Sequence, residues 1–133
     1  MRVTLMVSAS LLLGGIGPAV AHHSYAMFDR TRELTVTGYV KAWQFTNPHS
    51  WLQVLVKGAD GAEVNYGFES ANPIELSRLG WTRSSLQPGD HVTVSYQPLR
   101  DGALGGELVS VVKPDGAKLL AQLPRFQDTP PAN

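Results

Sequence analysis

Hydrophobic and polar residues alternate with a period of two along much of the chain between residues 34 and 113, as is typical of β-strands with one buried face. The alternating runs are rich in β-branched and aromatic residues and end at Gly, Pro, Asn or Asp. They predict five strands, at residues 34–43, 51–56, 63–69, 91–97 and 108–113. Gly38 interrupts the first run and predicts a bulge or a bend there.

Short turn signals separate these strands. Asn47-Pro48-His49 predicts the loop between the first two strands, and Asp60-Gly61 predicts a hairpin between the second and the third. Gln87-Pro88-Gly89-Asp90 predicts the turn before the fourth strand. Asp101-Gly102 together with Gly105-Gly106 predicts a further turn before the fifth.

Residues 72–80 follow a different pattern, which predicts a helix of about two turns. Asn72 suits the N-cap, Pro73 suits the first helical position, and Gly80 suits the position just past the end. The apolar residues of this helix are expected to cover one end of a barrel: Ile74, Leu76 and Leu79.

The order of these elements predicts a small all-β fold, a five-stranded OB-like barrel with one short helix between strands 3 and 4. The glycine in the first strand favours this closed form, because closure requires curved strands. A β-sandwich with a similar number of strands is the alternative.

The first 21 residues have the order of a secretory signal: a basic residue, a short apolar run and the small-x-small sequence Ala19-Val20-Ala21. The apolar run is too short and too rich in glycine to span a bilayer, which takes about 20 residues. We therefore expect cleavage after Ala21 and export to the bacterial periplasm or the medium. Residues 22–33 are then an N-terminal arm, residues 34–123 the barrel domain and residues 124–133, with three prolines, a disordered tail.

Composition narrows the class of protein. Removing 21 of the 133 residues leaves 112, enough for one domain, and removes one arginine, so ten basic residues face eleven acidic ones. No Lys/Arg cluster indicates a nucleic-acid partner. The chain has no cysteine, which excludes disulfides, thiolate metal sites and a lipid anchor on cysteine.

The chemistry most readily associated with the predicted terminus is metal binding. Cleavage after Ala21 makes His22 the first residue, so that a terminal amine and an imidazole lie on one residue. A metal can displace the proton of such an amine near neutral pH. With a second imidazole from His23 or His49, three nitrogens would suit the square-planar preference of Cu(II).

Other polar residues are weaker candidates. Met27 is a possible ligand for Cu(I), although an apolar anchor together with Phe28 is the simpler interpretation. Glu69 is a possible carboxylate ligand or a hydrogen-bonding partner of a ligand, and otherwise a surface charge. His91 alternates with buried valines and is expected on the solvent face. His22 and His23 could equally form a solvated end, and His49 could serve only its turn.

Six short motifs in fixed order resemble a family of small exported bacterial proteins of unknown function. The likeness covers about residues 20–120 and implies a small secreted β-rich domain, without implying an activity. The motifs are His22-His23-Ser24, Phe28-Asp29, Gly38-Tyr39-Val40, Asn47-Pro48-His49, Gly80-Trp81-Thr82 and Pro88-Gly89-Asp90.

The sequence is compatible with two alternative functions. The first is an exported module that binds copper through His22, with His23 or His49, and handles the metal or delivers it to another exported protein. The second is an OB-like module that binds a small molecule, a glycan or a partner protein through an aromatic face. Trp81 is expected to fill the barrel end, while Tyr39 and Trp43 share a face if no bulge intervenes. The aromatic set is Tyr39, Trp43, Phe45, Trp51, Tyr66, Phe68 and Trp81.

Catalysis is not expected. The serines lack a Gly-x-Ser-x-Gly elbow, no glycine loop suits a phosphate, and no periodicity places two carboxylates at a groove. A purely structural subunit of an exported complex is a third possibility. The sequence indicates no nucleic-acid partner and no stable membrane insertion after cleavage of the signal.

Overall fold

A computed structural model describes residues 25–123, which contain six strands and one short α-helix. A single 3₁₀ turn at Tyr25–Met27 precedes them. The elements are β1 (Leu34–Gln44), β2 (Ser50–Lys57), β3 (Glu63–Ser70), α1 (Pro73–Arg78), β4 (His91–Pro98), β5 (Gly105–Val112) and β6 (Lys118–Leu120). Among residues 25–123, no helix is long and apolar enough to cross a membrane.

The first five strands close into a barrel. Their hydrogen-bonded order is β3-β2-β1-β4-β5, and β5 returns to pair with β3 in parallel. The helix α1 lies between β3 and β4. The predicted five-stranded barrel is therefore confirmed, and the sandwich is excluded because the outer strands pair with each other. The short β6 adds an antiparallel strand beside β5, and the sequence pattern did not predict it.

Strand β1 pairs with two neighbouring strands. Its first half pairs with β4 and its second half with β2, and the register shifts between Val40 and Ala42. The bulge thus lies after Gly38 rather than at it. A Cβ at Gly38 would overlap the carbonyl oxygen of Leu55, so glycine is needed for the close approach of β2.

Gly105 and Gly106 are not part of a turn, which corrects the prediction from sequence. They begin β5 and pair with Gly67 and Phe68 of β3 where the barrel closes. A Cβ at Gly105 would overlap the carbonyl oxygen of Gly67. Glycine therefore serves close strand packing here, and the local sequence signal for this is the same as for a turn.

The barrel interior holds the hydrophobic core. Trp81 is almost fully buried, and its indole N–H donates to the carbonyl of Leu120 at 2.8 Å, which confirms its predicted place in the core. Leu76 of α1 is buried and Leu79 packs against the core, whereas Ile74 is exposed, contrary to its predicted role. The side chain of Asn72 accepts a hydrogen bond from the Glu75 amide, as predicted for an N-cap.

Candidate functional site

A cavity of about 220 Å³ opens on the outside of the barrel where β3 and β5 meet. Its lining combines apolar groups with five ionisable side chains from distant parts of the sequence. The N-terminal arm, the β1–β2 loop and both strands contribute. The lining residues that matter chemically are Tyr25, Arg30, His49, Glu69, Ser70 and Glu107.

Two carboxylates lie side by side at this seam. Glu69 and Glu107 are register partners in the parallel β3–β5 pair. Each is adjacent in sequence to a core residue, Phe68 or Leu108, so its side chain leaves the barrel on the opposite face. Both are nevertheless buried, with 7% and 8% of their surface exposed. Glu69 is thus not a surface charge, which corrects the simpler of the two interpretations from sequence.

His49 reaches Glu69 from the loop between β1 and β2. Its Nδ1 lies 3.1 Å from Glu69 Oε1, and its backbone carbonyl accepts a hydrogen bond from the Thr46 hydroxyl. Where Glu69 is ionised it can only accept hydrogen bonds, so Nδ1 is the ring nitrogen that would donate to it. In the neutral ring the lone pair then resides on Nε2, which is the arrangement found in many metal-binding histidines.

Glu107 is paired with the N-terminal arm. Arg30 donates from Nε to Oε2 at 2.8 Å and from Nη2 to Oε1 at 2.5 Å, a bidentate geometry. The same guanidinium lies 4.1 Å from the ring centroid of Tyr25. The charge of Glu107 is therefore compensated within the protein.

The N-terminal arm is packed on the barrel over the residues that the structure describes. Phe28 is buried and forms a β-bridge with Leu99, and the Asp29 amide donates to the carbonyl of Pro98 at 2.8 Å. Met27 is 43% exposed and does not line the cavity. Phe28, rather than Met27, is therefore the apolar anchor of the arm.

Of the three predicted metal ligands, only His49 lies among the residues that the structure describes. His22 and His23 lie outside the described residues, as do the predicted signal peptide and the C-terminal tail. Within residues 25–123, no group of three or more histidine, aspartate or glutamate side chains could hold a metal ion. What the described chain supplies is His49 with Glu69. His91 is exposed, as predicted, and its ring packs on Tyr39 at 4.8 Å.

The aromatic side chains do not form one exposed face. Phe45, Phe68 and Trp81 belong to the core, and Trp43 packs on Trp81 at 4.9 Å between ring centroids. The bulge in β1 separates Trp43 from Tyr39, which is exposed. Binding of a ligand through aromatic residues stays a prediction from the sequence.

Sequence reasoning did not find Arg30 or Glu107. They are 77 positions apart, and only the pairing of β3 with β5 brings Glu107 beside Glu69. Two buried hydroxyls near the seam were also missed. Ser50 and Ser70 are register partners, and neither hydroxyl has a hydrogen-bond partner among residues 25–123.

Comparison with known proteins gives a family but no activity. No curated protein matches the sequence. The family of unknown function DUF6152 matches residues 10–108, more than half of the chain, and this range includes Arg30, His49, Glu69 and Glu107. The resemblance inferred from the short motifs is confirmed at this level. The chain belongs to the family of unknown function DUF6152.

Proposed function

We propose that this protein is an exported metal-binding module that holds copper through an N-terminal histidine chelate completed by His49. Its role is to handle the metal or to deliver it to another exported protein, rather than to catalyse a reaction. The supporting observation is that His49, oriented by Glu69, and Tyr25, near the proposed terminus, line the same cavity.

The length of chain between Tyr25 and the proposed terminus limits how far the terminal ligands can lie from Tyr25. His23 precedes Tyr25 by two residues, and an extended residue spans at most about 3.6 Å. The Cα of His23 is therefore within about 7 Å of the Tyr25 Cα, and that of His22 within about 11 Å. The proposed terminal amine is thus within short reach of the cavity in which His49 lies.

The proposed metal ligands come in part from the cavity and in part from the N-terminus. The amine and imidazole of His22 and Nε2 of His49 would supply three nitrogen ligands, which favours Cu(II) over other common divalent metals. Glu69 would hold the His49 ring in position and offset part of the positive charge. The charge of Glu107 is already offset by Arg30.

The test begins with protein processed from its own leader, whose N-terminus is identified by mass spectrometry. Cu(II) binding is then measured by calorimetry and electron spin resonance. We expect a signal from at least three nitrogens. His49→Ala removes a direct ligand and should lower the affinity by more than the about 10- to 100-fold that loss of a ligand's hydrogen-bonding partner costs. The matched control is His91→Ala, because His91 is exposed and does not line the cavity.

A second variant isolates the amine. One alanine inserted ahead of His22 keeps every side chain but moves the amine away from the first imidazole. We expect its Cu(II) affinity to fall sharply. Equal affinity in this variant would show that the amine chelate is wrong, and equal affinity in His49→Ala would show that the cavity is not the site.

A further inference from the structure

Glu69 is a buried carboxylate with unused capacity to accept hydrogen bonds. Only 7% of its surface is exposed, and its one ion-pair partner within residues 25–123 is His49, whose Nδ1 lies 3.1 Å from Oε1. No residue in that range donates a hydrogen bond to Oε2. A carboxylate can accept about four hydrogen bonds, and burying one without enough partners is unfavourable. Glu69 is therefore suited to receive a donor that carries positive charge.

The charges that line the cavity do not balance. Arg30 neutralises Glu107 through their bidentate pair, and the same guanidinium lies over the ring of Tyr25. With a neutral His49, one negative charge remains in the lining, and it belongs to Glu69. A buried charge is stable only where a partner compensates it, so the cavity favours a cationic ligand over a neutral or an anionic one.

The remainder of the lining suits a short alkyl chain. The cavity volume of about 220 Å³ far exceeds the about 10–15 Å³ that one water molecule requires, so a small organic ligand can enter. An alkyl chain that packs on an apolar wall leaves water, which favours binding. Four apolar side chains form this wall: Phe28, Ala71, Leu108 and Ala121. The cavity thus pairs one uncompensated carboxylate with an apolar surface.

We propose that this cavity binds a primary ammonium group on a short alkyl chain, with the nitrogen at Glu69 and the chain against Phe28 and Leu108. Residues 25–123 alone offer no group of three side chains that could hold a metal ion, whereas an ammonium group can pair with a single carboxylate. The site is built only from residues 25–123. It therefore needs neither His22 nor His23, and it goes beyond the proposed copper site.

The test titrates the processed protein, freed of copper, with n-butylammonium and follows the backbone amides by NMR. The matched neutral probe is 1-butanol, which has the same alkyl chain without the charge. A hydrogen bond to a charged group favours binding by about 10- to 100-fold, so we expect butylammonium to bind more tightly than butanol by this factor. The amide signals of Glu69 and Leu108 should shift. Equal affinity for the two probes would overturn the proposal.

Two variants isolate the carboxylate. Glu69→Gln keeps the size of the side chain and removes its charge, so its affinity for butylammonium should fall to that for butanol. Glu63→Gln, at the exposed start of the same strand, is the matched control and should bind both probes as the wild type does. A folded Glu69→Gln protein that still prefers butylammonium would overturn the proposal. If this variant does not fold, the two probes on the wild type decide.

A third probe distinguishes the two sources of such a group, a free amine and a lysine of a partner protein. It is a short peptide with blocked ends and one internal lysine. Tighter binding of butylammonium would assign the site to free amines, and tighter binding of the peptide would assign it to a partner's lysine. If neither probe binds, the ammonium site is wrong, while a loss of Cu(II) affinity in His49→Ala would still support the copper site.

Discussion

Glu69 shows how one buried carboxylate can decide which atom of a neighbouring side chain is chemically useful. Its Oε1 lies 3.1 Å from Nδ1 of His49, and a carboxylate at this position would favour the tautomer with its lone pair on Nε2. It lies at the seam, where β3 pairs with β5, and only 7% of its surface is exposed. The residue is thus suited to orient a ligand rather than to face solvent.

The first prediction concerns this carboxylate. Glu69→Ala should lower Cu(II) affinity by about 10- to 100-fold, because His49 loses the partner that fixes its tautomer. Glu63→Ala, at the exposed start of the same strand, should leave the affinity unchanged. The measurement is a competitive titration against a chelator, with thermal unfolding as a check on the fold. A folded Glu69→Ala protein with full affinity would contradict the role of Glu69.

The second prediction concerns two glycines with positive φ angles. In Gly102→Ala the new Cβ meets nothing within 4 Å, so the cost is the backbone strain of about 1 kcal/mol. In Gly105→Ala, where φ is also positive, strain is joined by overlap of the new Cβ with the Gly67 carbonyl, so we expect a loss of more than about 3 kcal/mol. Urea unfolding measures both. Similar losses of stability in the two variants would show that β3 and β5 can move apart enough to accommodate the new Cβ.

At the scale of elements, periodic patterns were informative and isolated glycines were ambiguous. The five barrel strands and α1 follow from alternation and from capping residues, which are local signals. The three-residue β6 is too short for a pattern. The glycines at 105 and 106 were misplaced because their role depends on β3, which lies far away in sequence.

The arm provides the third prediction, which concerns pH. The side-chain hydrogen bond from Thr31 Oγ1, together with that from the Thr31 amide, lowers the pKa of Asp29 below its ordinary value of 3.8. A lowered pKa in the folded state stabilises the turn above the unfolded pKa, and this contribution is lost as pH falls through the folded value.

We therefore expect the NMR signal of the Thr31 amide to change with pH around a midpoint below 3.8, the ordinary pKa of this carboxyl. In Asp29→Asn this transition should disappear, because the group no longer titrates. A transition in the wild type at or above pH 4 would show that the turn does not favour the carboxylate form.

For the whole molecule, the pairing of β3 with β5 both closes the barrel and brings the residues of the candidate site together. The seam between β3 and β5 has three register pairs, whereas β2 and β3 share eight. The same three pairs bring Glu69 beside Glu107, and the arm packs across them. His49 could be predicted from the sequence as a loop residue with ligand chemistry. Its carboxylate partner and the Arg30–Glu107 pair could not, because they depend on long-range strand register.

This arrangement leads to the last prediction. The Gly67 amide donates across the seam to the carbonyl of Leu104 over a long 3.4 Å. Because few hydrogen bonds close the seam, its amides should exchange with solvent faster than those between β1 and β2. Copper bound at His49 would tie the arm across both strands and should slow exchange at Gly67, with no effect in His49→Ala. Exchange at Gly67 that is as slow as in β2 would contradict a weakly bonded seam. Exchange that copper does not change would show that copper binding does not stabilise the closure of the barrel.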